Sequence, residues 1–350
     1  MQSSEGHSKS SNRLITFVKD YAKAYRKELS TSQLIFLIFL LPIFLLVPQV
    51  LQLVSSVVEN RKLDNPSYRW PDYTDFYITL AAIPCVTLAK RVVAMAFSGY
   101  YEKNLPAKYT GKARQIKIDK CVKGVLKVLY FSGVQVYGFL YVLSEQPYHA
   151  PTLFGTKSWA FIYKNYPYFE ITPHMKFFYM VGLSYHVESW LEQMLSPPKS
   201  DFAEMFLHHL LTTSLMVGSY LTNTVNCGIV VMMILDHADI WIGFVRVVAD
   251  VGSMGTIVFT FFGVLTSWFY TRIYVFPFEV VKYAAFDQWA LSDGTGWINL
   301  VFGTFLLVLQ VLNVHWFLLL GRAAVHYASS GERVDLQSAD KLDTQRAKST

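Results

Sequence analysis

The chain has 350 residues, of which 53% are hydrophobic and 16% are charged, and its formal net charge is +6. This charged fraction lies well below the roughly 25% of a soluble domain, and the apolar residues form runs of about 20, the length that crosses a bilayer core. The composition predicts an all-α polytopic membrane protein with about eight transmembrane helices. It leaves no soluble domain of useful size outside them, and we expect no nucleic-acid partner.

A basic tail and two transmembrane helices open the chain. Residues 1–32 are polar and rich in lysine and arginine. The first two predicted spans cover approximately 33–57 and 76–97. Together with the basic loop that follows, they predict an N-terminal unit, 33–109.

Six further spans follow the basic loop. Their predicted ranges are approximately 121–143, 174–195, 202–220, 225–248, 254–276 and 297–320. A polar segment, 326–350, closes the chain, and its composition is typical of a disordered tail. Eight spans place both tails on one side, and the lysine- and arginine-rich first tail and 90–120 loop assign that side to the cytosol.

Two consecutive predicted spans carry ionisable side chains at one depth. At 1.5 Å per residue, His208 and His209 lie roughly 9–11 Å inside the cytosolic face. Asp239 on the next, antiparallel span lies about 9 Å from the same face, and Asp236 one turn deeper. Ionisable groups are costly inside a membrane and usually mark a functional site. The two histidines and two aspartates therefore predict a site built within the membrane.

The spacing of these residues indicates which side chains can meet. Asp236 and Asp239 are three positions apart and share a helix face, as His208 does with Thr212. Adjacent histidines point about 100° apart, so we expect one of them to meet the aspartates. An imidazole beside a carboxylate serves as a nucleophile or general base. The alternatives are polar groups that only hold helices together, and a transporter or proton relay.

The other histidines and the cysteines narrow the chemistry. His315 is a further candidate for substrate contact, His237 is expected to face away from the carboxylates, and His174 and His186 rank below these. With nine histidines and one adjacent pair, the chain cannot fill the boxes of a membrane di-iron oxygenase. The three cysteines show no metal-type spacing, and the Asp236–Asp239 segment offers no cysteine nucleophile. We expect no metal and no cofactor.

The residues around the histidine pair resemble a known family. The segment Asp201-Phe-Ala-Glu-Met-Phe-Leu-His208-His209-Leu-Leu-Thr212, with Asp236 and Asp239 downstream, is similar to the signature of TLC-domain ceramide synthases, closest to the fungal type. The resemblance covers approximately 110–325. It implies a TLC-type barrel of six helices in the endoplasmic reticulum membrane. The implied reaction joins the acyl group of a fatty acyl-CoA, as co-substrate, to the amine of a sphingoid base.

The resemblance also implies roles for individual residues. His208 would carry the acyl group as an acyl-imidazole, with His209 as the alternative nucleophile. Asp236 and Asp239 would orient the imidazole, balance its charge and accept protons from the amine. The substrate-binding candidates are Thr212, Lys199, Arg246 and His315, with the two cations available to the phosphates of the acyl-CoA.

Several features of the sequence bear on partners and on the competing function. Arg246 stands where the family usually has lysine, and Gly243 where many animal members have glutamate. The resemblance to fungal members implies a possible single-pass accessory subunit and a homo- or heterodimer, besides membrane lipids. The competing function is a non-catalytic TLC-type lipid sensor or carrier. The intact set of two histidines and two aspartates favours the enzyme.

Overall fold

The computed structural model describes residues 48, 49, 52, 54–144, 166–196, 199, 201–286 and 296–330. Within these ranges the regular structure is entirely helical. This agrees with the predicted all-α fold. Most of the first predicted span and both predicted tails, apart from residues 326–330, lie outside the described residues.

Seven long helices, α1 to α7, follow one another through the described part of the chain. Their bounds are Phe76–Asn104 for α1, Gly111–Tyr137 for α2, Pro173–Leu195 for α3, Phe202–Leu221 for α4, Val225–Val248 for α5, Met254–Ala285 for α6 and Gly296–Ser330 for α7. Helix α2 continues as a π-helical turn over Gly138–Leu143, and α6 winds as a π-helix over Phe269–Val281. The helices coincide with the second to eighth predicted spans and in places run past them.

Capping residues explain two of the helix starts. The Thr172 side chain accepts a hydrogen bond from the backbone N–H of Met175, and Pro173 occupies the first helical position of α3. The Ser253 side chain caps α6 in the same way, through the N–H of Thr256. A hydroxyl at this position satisfies one of the unpaired N–H groups of the first turn, and proline there loses no helical hydrogen bond.

Five of the seven helices are long and apolar enough to cross a membrane by length and composition, and they establish a multi-pass membrane protein. These five are α1, α2, α5, α6 and α7. The other two, α3 and α4, carry His186, His208 and His209, whose polarity lowers the hydropathy of these helices. The count of eight spans stays a prediction, since most of the first predicted span lies outside the described residues.

Six of the helices contact one another in a ring. Helix α2 packs on α5, α5 on α6, α6 on α7, α7 on α4, α4 on α3, and α3 returns to α2. Helix α1 packs against α2 and α3 from outside. This order is what the predicted six-helix barrel requires, although the barrel itself stays a prediction.

Glycine allows the close approach of α2 and α5. A Cβ atom added at Gly124 would lie 2.7 Å from Cβ of Arg246 and 3.1 Å from the carbonyl oxygen of Gly243. A Cβ atom added at Gly243 would lie 3.0 Å from the carbonyl oxygen of Gly124. Small residues at facing positions let helices in a membrane pack backbone to backbone. The glycine at 243, noted in the sequence, is therefore part of a helix crossing.

A tight turn sets the register of α4 against α5. Asn223 has a φ of 60°, and its side-chain amide donates hydrogen bonds to the carbonyl oxygens of Pro167 at 2.7 Å and Phe169 at 2.9 Å. His208 stands 15 positions before this turn and Asp239 stands 16 positions after it, which corresponds to roughly 22 and 24 Å of helix. The turn therefore brings the histidine pair and the aspartates to one level.

Candidate active site

A cavity lies among α3, α4, α5, α6 and α7. Its polar end is lined by His186, His208, Thr212, Asp236, Asp239 and Arg272. Most of the remaining wall is apolar and includes Leu215, Met216, Val231, Leu306 and Leu309. Small-molecule sites are usually of this kind, mostly apolar with a few convergent polar groups. The cavity is suited to a long hydrocarbon whose polar head lies beside the ionisable groups.

Of the two adjacent histidines, His208 lines the cavity, whereas His209 is not among the lining residues of the described chain. The two imidazole rings are 5.5 Å apart, and the His208 ring meets the Trp316 ring edge to face, also at 5.5 Å. His209 is buried, with 7% of its surface exposed. The Nδ1 atom of each histidine is buried, without a hydrogen-bond partner in the described part of the structure. The structure thus distinguishes the two candidates and brings His208 to the cavity.

Asp239 is held by two cations from other helices. Its Oδ1 accepts a hydrogen bond from Lys127 Nζ at 2.6 Å, and its Oδ2 accepts one from Arg272 Nη2 at 2.6 Å. The same Nη2 donates to the carbonyl oxygen of Leu235 at 2.5 Å, and the guanidinium lies 4.0 Å from the ring centroid of Trp268. Charge-assisted hydrogen bonds of this kind are short and strong. Asp239 is therefore held in place by two cations.

Arg272 belongs to the π-helical part of α6. Its side chain is buried, and its Nε atom has no hydrogen-bond partner among the described residues. π-Helical turns recur at functional sites, where they change the direction of side chains. Arg272 is thus a lining residue of the cavity that keeps one buried N–H group without a partner in the described structure.

Asp236 has a different partner. Its Oδ1 lies 4.0 Å from Nε2 of His186 on α3, and both side chains are largely buried and line the cavity. Neither His208 nor His209 forms an ion pair with Asp236 or Asp239 in the described structure. His208 nevertheless lines the same cavity as both aspartates, so the expectation that one member of the histidine pair meets the carboxylates stays a prediction. The histidine next to a carboxylate is His186, which the sequence analysis ranked below the pair.

The remaining predicted site residues separate into two groups. Thr212 lines the cavity, and its buried hydroxyl has no partner among the described residues. Lys199, Arg246 and His315 are not among the lining residues of the described chain. His315 directly precedes Trp316, whose ring contacts His208. It therefore lies close to the site without reaching the cavity.

Lys199 lies near Lys123 and Arg246, in a region that also holds Asp201 and Glu192. Desolvation and the positive charge of Lys123 lower the pKa of Lys199, and Arg246 acts in the same direction. Like charges at short range favour loss of a proton, and an anion placed between them would relieve the repulsion. These cations remain suitable for a phosphate-bearing group outside the cavity.

Sequence reasoning missed Lys127 and Arg272. Both stand in predicted spans, and the rule that singled out the histidines, the cost of an ionisable group inside a membrane, applies to them equally. The sequence does not tell which neighbouring helix Lys127 and Arg272 face. Lys127 on α2 and Arg272 on α6 meet Asp239 through packing between distant parts of the chain.

The fold and the site define a polytopic α-helical membrane protein with a cluster of ionisable groups at one end of an apolar cavity. The family model described as the TLC domain matches residues 121–322. Because this match covers more than half of the chain, the protein belongs to the TLC-domain family. The resemblance to TLC-domain ceramide synthases is confirmed.

Known relatives are similar to this chain at low identity. Ceramide synthase hyl-2 of Caenorhabditis elegans is 24% identical over 312 residues, which cover 82% of this chain and 91% of the relative. Sphingosine N-acyltransferase lac1 of Schizosaccharomyces pombe is 27% identical, covering 61% of this chain and 56% of the relative. Ceramide synthase 5 of Mus musculus is 24% identical, covering 63% and 53%. The chain thus spans little more than half the length of the yeast and mouse proteins.

Proposed function

We propose that this protein is a ceramide synthase, which transfers a fatty acyl group from acyl-CoA to the amine of a sphingoid base. The observation that carries the proposal is the position of His208 at the junction between the apolar cavity and the ionisable groups. The relatives named as ceramide synthases and sphingosine N-acyltransferase support it. We also propose that residues 110–325 form the catalytic TLC domain.

In the first step, an imidazole nitrogen of His208 attacks the thioester carbonyl of the acyl-CoA. A carbon–nitrogen bond forms, the carbon–sulfur bond breaks, and the coenzyme A thiolate leaves with the proton that the imidazole loses. The unused Nε–H of Arg272 is available to donate a hydrogen bond to the oxyanion that develops on the carbonyl. The acyl tail occupies the apolar wall.

In the second step, the amine of the sphingoid base attacks the acyl-imidazole. The amide bond forms, the bond to His208 breaks, and the His208 nitrogen gains the proton that the amine loses, which regenerates the free imidazole. The proton that the amine loses requires a base at the polar end of the cavity. Asp239 is held by Lys127 and Arg272, so it balances charge and fixes the site while Asp236 remains available.

The surroundings of the enzyme follow from the same proposal. Lys199, Arg246 and Lys123 would bind the phosphates of coenzyme A outside the cavity, on the cytosolic side. The protein would reside in the endoplasmic reticulum membrane with both termini in the cytosol. A single-pass accessory subunit and a dimer belong to the proposal as partners.

Synthesis of ceramide tests this function against the lipid carrier. The purified full-length protein is incubated with palmitoyl-CoA and sphinganine, and N-acylated product is measured by mass spectrometry. The His208→Ala variant should make no product while keeping its melting temperature, and the exposed His237→Gln variant should match wild type. Transfer of unmodified lipid between vesicles by wild type and His208→Ala alike, without amide formation, would contradict the enzyme and favour the carrier.

A further inference from the structure

We propose that His186 and Asp236 form a catalytic pair that accepts the proton of the attacking amine. This inference rests on the proposed acyl transfer and assigns a residue to its second step. His186 takes the proton, and the Asp236 carboxylate holds the imidazole in place and stabilises its charged form. The pair joins α3 to α5, whereas the acyl group is carried by His208 on α4.

The geometry places this pair where the reaction occurs. Nε2 of His186 and Oδ1 of Asp236 are 4.0 Å apart, and the two side chains keep only 12% and 7% of their surface exposed. Both residues line the cavity that His208 lines. A substrate amine that reaches the acyl group on His208 therefore enters a space bounded by the pair.

Asp239 is a poor proton acceptor because both of its oxygens are already used. Lys127 binds Oδ1 and Arg272 binds Oδ2, each at 2.6 Å. Protonating this carboxylate would leave two buried cations short of a partner, which is costly. Within the described chain, His186 is the titratable group at ion-pair distance from Asp236. The two aspartates therefore serve different purposes.

The proposed transfer places a positive charge on His186, among other ionisable groups around the cavity. Among the described residues, the charged and titratable groups around His186 include Lys127 and Tyr130 from α2, Tyr185 from α3, His208 and His209 from α4, Asp236 and Asp239 from α5, and Arg272 from α6. In the proposed step Lys127 and Arg272 stay paired with Asp239, and the Asp236 carboxylate is the counter-ion of the imidazolium that forms on His186. Imidazole is the side chain whose charge changes most readily near neutral pH.

In the proposed step, one carbon–nitrogen bond forms, another breaks and one proton moves. The amine nitrogen forms its bond to the acyl carbon, and the bond between that carbon and the His208 nitrogen breaks. The N–H proton of the amine passes to the neutral imidazole of His186, which becomes imidazolium beside Asp236. His186 then passes this proton to the His208 nitrogen that the acyl group has left, so both imidazoles are neutral at the end of the cycle.

The experiment separates the two half-reactions in the full-length protein. Acylation by palmitoyl-CoA is followed by intact mass, and discharge of the acyl group by added sphinganine is followed by the loss of that mass. In His186→Gln, acylation should stay within about threefold of wild type while discharge slows by about 100-fold, the usual contribution of a general base. The acyl-enzyme should accumulate, and Asp236→Asn should behave in the same way.

Controls distinguish proton transfer from a structural effect. His237→Gln removes an exposed histidine outside the cavity and should leave both half-reactions unchanged. When the rate of discharge is plotted against pH, the inflection that a basic group produces in wild type should be absent in His186→Gln. Free imidazole should restore discharge in His186→Ala. An unchanged discharge rate, or an equal loss in both half-reactions, would overturn the inference while the proposed function stands. A wild-type protein that forms neither acyl-enzyme nor ceramide would overturn both.

Discussion

Oδ2 of Asp239 lies 2.6 Å from Nη2 of Arg272, although the two residues are 33 positions apart and belong to different helices. This contact joins α5, which carries the aspartates, to the π-helical part of α6. It withdraws one aspartate from proton chemistry and leaves the other beside a histidine. The division of work between the two carboxylates depends on it.

Replacing Arg272 should therefore affect both stability and turnover. Arg272→Met leaves Asp239 with Lys127 alone, and breaking a buried ion pair costs about 3–5 kcal/mol. Turnover should fall by at least about 100-fold, the usual effect of losing an oxyanion donor. Arg272→Lys should recover part of the stability and little of the turnover, because lysine lacks the planar fork. Thermal melts and ceramide assays on the same samples measure both quantities, and a fully active Arg272→Met protein would refute the assignment.

Because α2 and α5 cross closely, we expect a larger side chain at the crossing to lower the stability of the protein. Gly124→Val should destabilise the protein by about 1–3 kcal/mol, because a Cβ atom there meets the backbone of α5. Gly133 on the same helix is the matched control, since a Cβ atom added there has no neighbour within 4 Å. Gly133→Val should change the melting temperature little. Equal shifts for the two variants would contradict the close crossing.

The predicted helices and the observed ones agree because apolar runs of membrane length determine where helices form. The ends differ because helices such as α1 continue to Asn104 through charged residues that tolerate helical structure at the membrane surface. His208, Asp236 and Asp239 were found from the cost of ionisable groups in a membrane. The partnership of His186 with Asp236 depends on which helices are neighbours, and hydropathy carries no information about that.

We expect the apolar wall of the cavity to determine which acyl-chain lengths the protein accepts. Leu215 lines the cavity seven positions beyond His208, roughly 10 Å along α4. Leu215→Trp should block the wall at that depth, so turnover with palmitoyl-CoA should fall by more than about tenfold while octanoyl-CoA remains a substrate. Leu215→Met, close in volume, should keep the wild-type preference. Competition between the two acyl-CoA lengths measures the ratio, and equal losses for both would argue against an acyl tail in this wall.

The cations outside the cavity predict an effect on acyl-CoA binding rather than on chemistry. Lys199→Glu reverses a charge near Lys123 and Arg246, so the KM for palmitoyl-CoA should rise by about tenfold with little change in kcat. The KM for sphinganine should stay the same. Raising the salt concentration should reduce the difference between variant and wild type, since exposed charges are screened. A fall in kcat alone would place Lys199 in another role.

The central claim is that His208 carries the acyl group, and intact mass after incubation with palmitoyl-CoA alone tests it most directly. Wild type and His209→Ala should each gain the mass of one palmitoyl group, His208→Ala should gain none, and added sphinganine should remove the adduct as ceramide appears. Ceramide formed by His208→Ala, or an adduct that persists in His208→Ala and disappears in His209→Ala, would contradict the account.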